Sequence, residues 1–187
     1  MGVVEWEEFA QIASAPVTKT VHGRVRSIDM TPYEQVRYAP PDYWRVEDEH
    51  GRLRYLANET GHYLWRPGGR ELAWFHPRRR DEWHSGDMTS HTLIHPRDLR
   101  EPLDDDFTHP AGPVQEVIFL DRPAWRVLLA PPPHKPEPVW QVLDVTSGVT
   151  LAYQSPDGTA IAEFTGIETD VELPPETFAA PPVSDSP

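Results

Sequence analysis

The chain has 187 residues, of which 17 are basic and 30 acidic, so its net charge of −13 disfavours binding to nucleic-acid phosphates. It contains no cysteine, which excludes disulfides, thiolate metal sites and lipid attachment through a thiol. No stretch approaches the roughly 20 apolar residues of a membrane span, and the first six residues lack the features of an export signal. These features predict a cytoplasmic protein of one domain, with an exported mature form as the alternative.

The first predicted element is an amphipathic helix within residues 1–15. Trp6, Phe9, Ile12 and Ala13 recur at helical spacing and would form one apolar face. From Val21 the apolar period changes to two, which is typical of a strand.

A hairpin is predicted next, with its two-residue turn at His50 and Gly51. In that register Val46 lies beside Tyr55, and Trp44 lies beside Ala57, on the buried face.

On the solvent face of the same hairpin, the register places opposite charges in cross-strand pairs. Glu49 then faces Arg52, and Glu47 faces Arg54. The two glutamates are therefore interpreted as solvated rather than catalytic residues.

The remaining pattern is one of short strands joined by turns rich in glycine and proline. A Pro-Gly-Gly turn at 67–69 joins aromatic strands at 63–65 and 72–75, and residues 76–112 form an irregular polar segment. Three successive hairpins follow, with strands near 117–120, 124–129, 139–143, 150–153 and 160–164. This pattern predicts nine or ten mostly antiparallel strands and no helical crossovers.

The order of several short motifs resembles the lipoprotein-carrier superfamily, which includes the LolA and LolB proteins and the large domain of RseB-type sigma-factor regulators. The motifs are Trp-Arg-Val-Glu at 44–47, Arg-Tyr-Leu-Ala-Asn at 54–58, Tyr-Leu-Trp at 63–65, Asp-Arg-Pro-Ala-Trp-Arg-Val at 121–127, the proline-rich bridge at 131–138, Leu-Asp-Val-Thr-Ser-Gly at 143–148 and the ending at 167–178.

The resemblance implies a mainly β member of the α+β class. Its fold would be a strongly curved, unclosed antiparallel half-barrel of about 9–11 strands, with one to three short helices on the concave side. Members of this superfamily hold acyl chains or lipoprotein anchors in an aromatic-lined cavity. RseB-type proteins carry a second, smaller domain after the first, and this sequence leaves no residues for one. We therefore expect a stand-alone LolA-like domain at 1–178 and a flexible proline-rich tail at 179–187.

Large apolar residues at alternating strand positions are the candidate lining of such a cavity. They are Trp44, Val46, Tyr55, Tyr63, Trp65, Leu72, Trp74, Trp125, Val127, Val142, Leu151 and Phe164. The competing interpretation is that these side chains simply fill the core together with the N-terminal helix.

No enzyme signature is present, because the serines lack a nucleophile elbow and no glycine-rich loop is followed by a phosphate-binding lysine. His84, His91 and His95 are weak candidates for a divalent-metal site, and scattered surface histidines are the favoured interpretation.

We therefore expect a non-enzymatic protein without a cofactor that binds a lipid-like or other apolar small molecule, in a carrier or regulatory role. The alternative is an acidic interaction module with a fully packed core. It would bind a basic protein partner through the segment after Lys135, which contains no Lys or Arg.

Overall fold

The computed structural model describes residues 4–28, 30–65, 72–75, 89–94, 99–100 and 106–180. The predicted turn at 67–69, most of the 76–112 segment, and residues 181–187 of the predicted tail lie outside this part. The boundaries of the domain and of the tail therefore stay predictions.

The described residues form mainly strands, with a short helix before the first strand, another between the sixth and seventh strands, and a 3₁₀ helix after the last strand. The first half contains helix α1 (Trp6–Ala13) and strands β1 (Val21–Ser27), β2 (Met30–Ala39), β3 (Tyr43–Glu47), β4 (Leu53–Asn58), β5 (Gly61–Trp65) and β6 (Leu72–Phe75). The second half contains helix α2 (Thr89–Ile94), strands β7 (Gln115–Phe119), β8 (Arg122–Leu129), β9 (Val139–Asp144), β10 (Thr150–Gln154) and β11 (Ala160–Thr169), and a 3₁₀ helix at Pro175–Phe178.

All eleven strands belong to one antiparallel sheet, in the order β6-β5-β4-β3-β2-β1-β11-β10-β9-β8-β7. Among the described strands the sheet is unclosed, because β6 and β7 are its two ends and do not pair with each other. This confirms the predicted mainly β half-barrel, its strand number and its short helices.

The sheet consists of two meanders that meet where β1 pairs with β11. Gly23 on β1 permits a close approach at this seam: a Cβ atom there would lie 2.6 Å from a ring carbon of Phe164 and 2.9 Å from the carbonyl oxygen of Gly166. Only glycine fits that space without displacing its neighbours.

The face of the sheet that carries both helices is called the inner face here. Strand register places Val25 beside Phe164 and Val36 beside Val46, and all four side chains are buried on this face. The predicted helix is confirmed as α1, whose Phe9, Ala10 and Ala13 are buried. Full burial of Phe9 stabilises the fold by roughly 2 kcal/mol.

The apolar register predicted for the β3–β4 hairpin is confirmed, since Val46 pairs with Tyr55 and Trp44 pairs with Ala57. The predicted charge pairs are wrong, because a register shift after Val46 places Glu47 opposite Leu53.

Instead of facing Arg54, the Glu47 carboxylate accepts hydrogen bonds from Arg37 at 2.7 Å and Arg45 at 2.8 Å. Arg52 binds Asp48 rather than Glu49. Glu47 is 8% exposed, so its interpretation as a solvated residue is also wrong.

Two motif segments are joined by a buried ion pair on the outer face of the sheet. Arg122 donates to the Asp144 carboxylate from Nε at 2.9 Å and from a terminal nitrogen at 2.7 Å. Ser147 also donates to Asp144, and the N–H of Gly148, which has a left-handed φ of 72°, donates to the carbonyl of Asp144. The resemblance motifs at 121–127 and 143–148 thus build one strand connection.

Candidate functional site

Four of the predicted lining residues lie together on the inner face. Trp44, Val46, Tyr55 and Phe164 share one apolar cluster, and each is at most 1% exposed. We call these four residues the inner patch. Strands β3, β4 and β11 position them through the alternation of side chains along each strand.

Helix α2 covers the inner patch. Leu93 and Ile94 of α2 belong to the same apolar cluster, and the ring of His91 stacks on Trp44 with centroids 4.2 Å apart. Within the described residues, α2 therefore contacts the inner patch through His91 and shares its apolar cluster through Leu93 and Ile94.

A buried carboxylate lies where α2 begins. Glu34 on β2 accepts a hydrogen bond from the backbone N–H of Ser90 at 3.1 Å. Burial raises the pKa of Glu34, while the hydrogen bonds from Ser90 and the nearby charge of Arg54 lower it less than burial raises it. The Glu34 carboxyl is therefore costly to ionise on the face that it shares with Val36 and Tyr38, and the N–H of Ser90 in α2 offsets part of that cost.

An Asp-His-Tyr chain borders the inner patch. The hydroxyl of Tyr55 is 2.7 Å from Nδ1 of His62, and Nε2 of His62 is 3.6 Å from a carboxylate oxygen of Asp42. Asp42 also accepts a hydrogen bond from the Trp44 indole. Burial, and then the charge of Asp42, raises the pKa of Tyr55. These surroundings therefore keep the Tyr55 hydroxyl protonated, which is the opposite of nucleophile activation. The hydrogen bonds also orient the rings of Trp44 and Tyr55.

Sequence reasoning missed Glu34, Asp42 and His62. For Glu34 a signal was present, since it occupies an inward position of the alternating pattern that continues through Val36 and Tyr38. The whole strand β2 was not predicted, so that pattern was not used.

Four other predicted lining residues belong to two apolar clusters that do not contain the inner patch. Trp125 and Val127 lie on the inner face but pack against α1, with Phe9 and Leu143. Val142 and Leu151 belong to a separate cluster with Ala124 and Ala152.

Strand register explains the separation of Val142. It pairs with Arg126, one position away from the inward-facing Val127, and therefore lies on the outer face. The side chains of Tyr63, Trp65, Leu72 and Trp74 lie outside the described part, although their backbones pair in β5 and β6.

The predicted weak metal site receives no support from its one described member. His91 packs between the rings of Trp44 and Tyr55, while His84 and His95 lie outside the described residues. Within the residues that the structure describes, no group of three or more His, Asp or Glu side chains is arranged to hold a metal ion. No helix in these same residues has the length and apolarity needed to cross a membrane.

Comparison with known proteins identifies the fold. The chain is similar to the crystal structure of MucB, with a TM-score of 0.57 and 11% identity over 94% of this chain and 62% of MucB. It thus spans about 62% of the MucB chain. At this identity the likeness shows the fold alone, and it confirms the half-barrel that the sequence motifs predicted.

Two further solved structures are similar at lower scores. One is the MucA/MucB complex of Pseudomonas aeruginosa, with a TM-score of 0.40 and 11% identity over 92% of this chain and 58% of the matched chain. The other is a LolA superfamily protein of Nitrosomonas europaea, with a TM-score of 0.34 and 11% identity over 95% and 98% of the two chains. No protein-family profile matches the chain, and no curated protein matches it.

The predicted cytoplasmic location is wrong. MucB is a periplasmic protein, which conflicts with that prediction. The prediction depended on a missing export signal, and such signals are removed from mature proteins, so their absence does not define the compartment.

Proposed function

Because the chain has the fold of MucB, we propose that it is a non-enzymatic binding protein that holds a lipid-like or other apolar molecule against the inner patch. The observation that carries this proposal is the packing of the short helix α2 against the buried apolar cluster that contains the inner patch. An apolar ligand would replace α2 on the inner patch and gain the same hydrophobic contacts.

The length of α2 supports its displacement. A helix of six residues is far below the length at which a helix is stable alone in water, so it depends on its docking contacts.

Native mass spectrometry followed by organic extraction tests for an apolar molecule that copurifies with the protein. A fluorescent long-chain fatty acid is the probe for the protein without bound lipid. We expect saturable binding that unlabelled palmitate reverses.

Two matched leucines test the displacement of α2. Leu93 of α2 and Leu151 of β10 are both at most 1% exposed but belong to different apolar clusters. Leu93→Ala should tighten probe binding roughly tenfold, because the helix that competes for the inner patch loses about 1.5 kcal/mol of contact. Leu151→Ala should also lower stability but leave the affinity unchanged.

Equal effects of the two leucine substitutions on probe affinity, or no binding with no copurified lipid, would contradict the proposal. The remaining possibility would then be the acidic interaction module, whose association with a basic protein partner should weaken as salt rises.

A further inference from the structure

A groove lies on the outer face of the sheet, across β2, β1 and β11. Its volume is about 420 Å³, and it is lined by His22, Gly23, Arg24, Gln35, Gly166, Ile167 and Glu168. It crosses the seam of the two meanders on the side opposite to α2.

Gly166 creates the space in this groove. It pairs with Arg24 in the interior of β11, and a Cβ atom placed on it would meet no atom within 4 Å. Gly23 is different, because Phe164 occupies the space where its Cβ would lie. The protein's own packing thus explains the glycine at 23 but leaves open space at 166. Gly166 borders a register shift in the β1–β11 pairing, and a glycine inside a strand marks either such a bulge or a place where a ligand approaches the backbone.

Arg24 supplies a positive charge in this space. Neighbouring arginines of the outer face are neutralised: Arg26 binds Glu163, while Arg37 and Arg45 both bind Glu47. Within the described residues, Arg24 forms no ion pair with a carboxylate, and its guanidinium lies 5.4 Å from the centroid of the Tyr33 ring. An arginine that is not neutralised can form the strong bidentate hydrogen bonds that carboxylates accept.

The other end of the groove has the opposite charge. Glu168 is paired with His22 across the strands, with 3.7 Å between the imidazole and a carboxylate oxygen. His22 and Arg24 are two positions apart on β1, so the two ends are separated by roughly 7 Å along the strand. A ligand with several negative charges would be repelled by Glu168.

We propose that this groove binds a small organic carboxylate that carries an amine or hydroxyl group at its other end. The carboxylate binds Arg24, the amine or hydroxyl group donates to Glu168, and the chain between them lies over Gly166. This site is independent of the inner patch, so either proposal can fail without the other.

The test is a titration of the full chain followed through its backbone amide signals by NMR, with 6-aminohexanoate as the probe. Saturable shifts should centre on the amides of Gly23 and Gly166. Hexanoate and hexylamine, which each lack one end group, should bind at least about fivefold more weakly, and inorganic phosphate should not compete.

Substitutions with matched controls assign the binding to the groove. Arg24→Gln and Gly166→Val should each weaken 6-aminohexanoate binding by about tenfold or more. Lys135→Gln removes an exposed charge elsewhere, and Gly112→Val adds the same side chain where it also meets no atom, so neither should change binding.

The proposal is overturned by unchanged affinity in Arg24→Gln or Gly166→Val, by phosphate binding as tightly as 6-aminohexanoate, or by the absence of saturable shifts.

Discussion

The seam between the two meanders can be tested by adding a single methyl group. In Gly23→Ala the new Cβ would lie 2.6 and 2.8 Å from two ring carbons of Phe164 and 2.9 Å from the carbonyl oxygen of Gly166. Contacts below 3.0 Å cannot persist, and the carbonyl belongs to a strand that pairs with β1 itself, so the backbone or the buried ring must move.

Such overpacking typically costs 1–3 kcal/mol, and we expect about 2 kcal/mol for Gly23→Ala. For a chain of this length that loss lowers Tm by roughly 4–8 °C. Urea denaturation followed by tryptophan fluorescence and a thermal melt measure the two quantities. Gly166→Ala is the matched control, because its added methyl meets nothing within 4 Å and should change stability by less than about 0.5 kcal/mol.

A double-mutant cycle separates the two contacts of Gly23. If the Phe164 ring is the main obstacle, Gly23→Ala should cost at least about 1 kcal/mol less when Phe164 is replaced by Leu. An undiminished cost would assign the obstacle to the Gly166 carbonyl. Equal stability of Gly23→Ala and Gly166→Ala would refute the close approach at the seam.

Three further predictions concern buried polar groups. Because the pKa of Glu34 is raised in the folded state, the stability of the protein should fall as the pH rises from about 4.5 to that raised pKa. Glu34→Gln should abolish this pH dependence and be more stable than the wild type at pH 7, and a Gln variant that is less stable at pH 7 would contradict the prediction. Asp144→Asn breaks the buried pair with Arg122 and should cost about 3 kcal/mol in urea denaturation, whereas a loss below about 1 kcal/mol would show that the pair is dispensable. Burial raises the pKa of Tyr38 to about 12, and the negative charge of Asp42 contributes to this rise. In the wild type the protein should therefore lose stability between about pH 10 and 12, and Tyr38→Phe should abolish this loss together with one tyrosine ionisation step near pH 12 in a spectrophotometric titration. If the substitution instead removes a step near pH 10, the prediction is refuted.

The sequence was sufficient to predict features that depend on local pattern. The period of two and the turn residues predicted the hairpins of the second half, and the apolar pairs of Trp44 and Val46 were correct. The spacing of Trp6, Phe9 and Ala13 predicted α1. The order of motifs led to the half-barrel, whose curvature no single motif specifies.

What could not be predicted depends on register shifts and on contacts between distant segments. Because the strand register shifts after Val46, Glu47 binds Arg37 and Arg45 and does not face Arg54 as the sequence predicted. Val142 was predicted to line the cavity, but its pairing with Arg126 places it on the outer face. Alternation along a strand shows which residues share a face but does not show which of the two faces is the inner one. The hydrogen bond between Glu34 and Ser90 joins residues 56 positions apart, which periodicity cannot detect.

The pairing of the first strand with the last also affects how the chain can fold and be divided. Each meander is built from contacts between neighbours in sequence, whereas the β1–β11 seam joins residues as distant as Val21 and Thr169. Closing so long a loop costs entropy that only the completed seam repays, so seam formation should be the slow step of folding. Separately produced segments, cut in the connection between β6 and β7, should associate through this strand pair and through the packing of α1 against Trp125 and Val127. The protein would then serve as a split reporter.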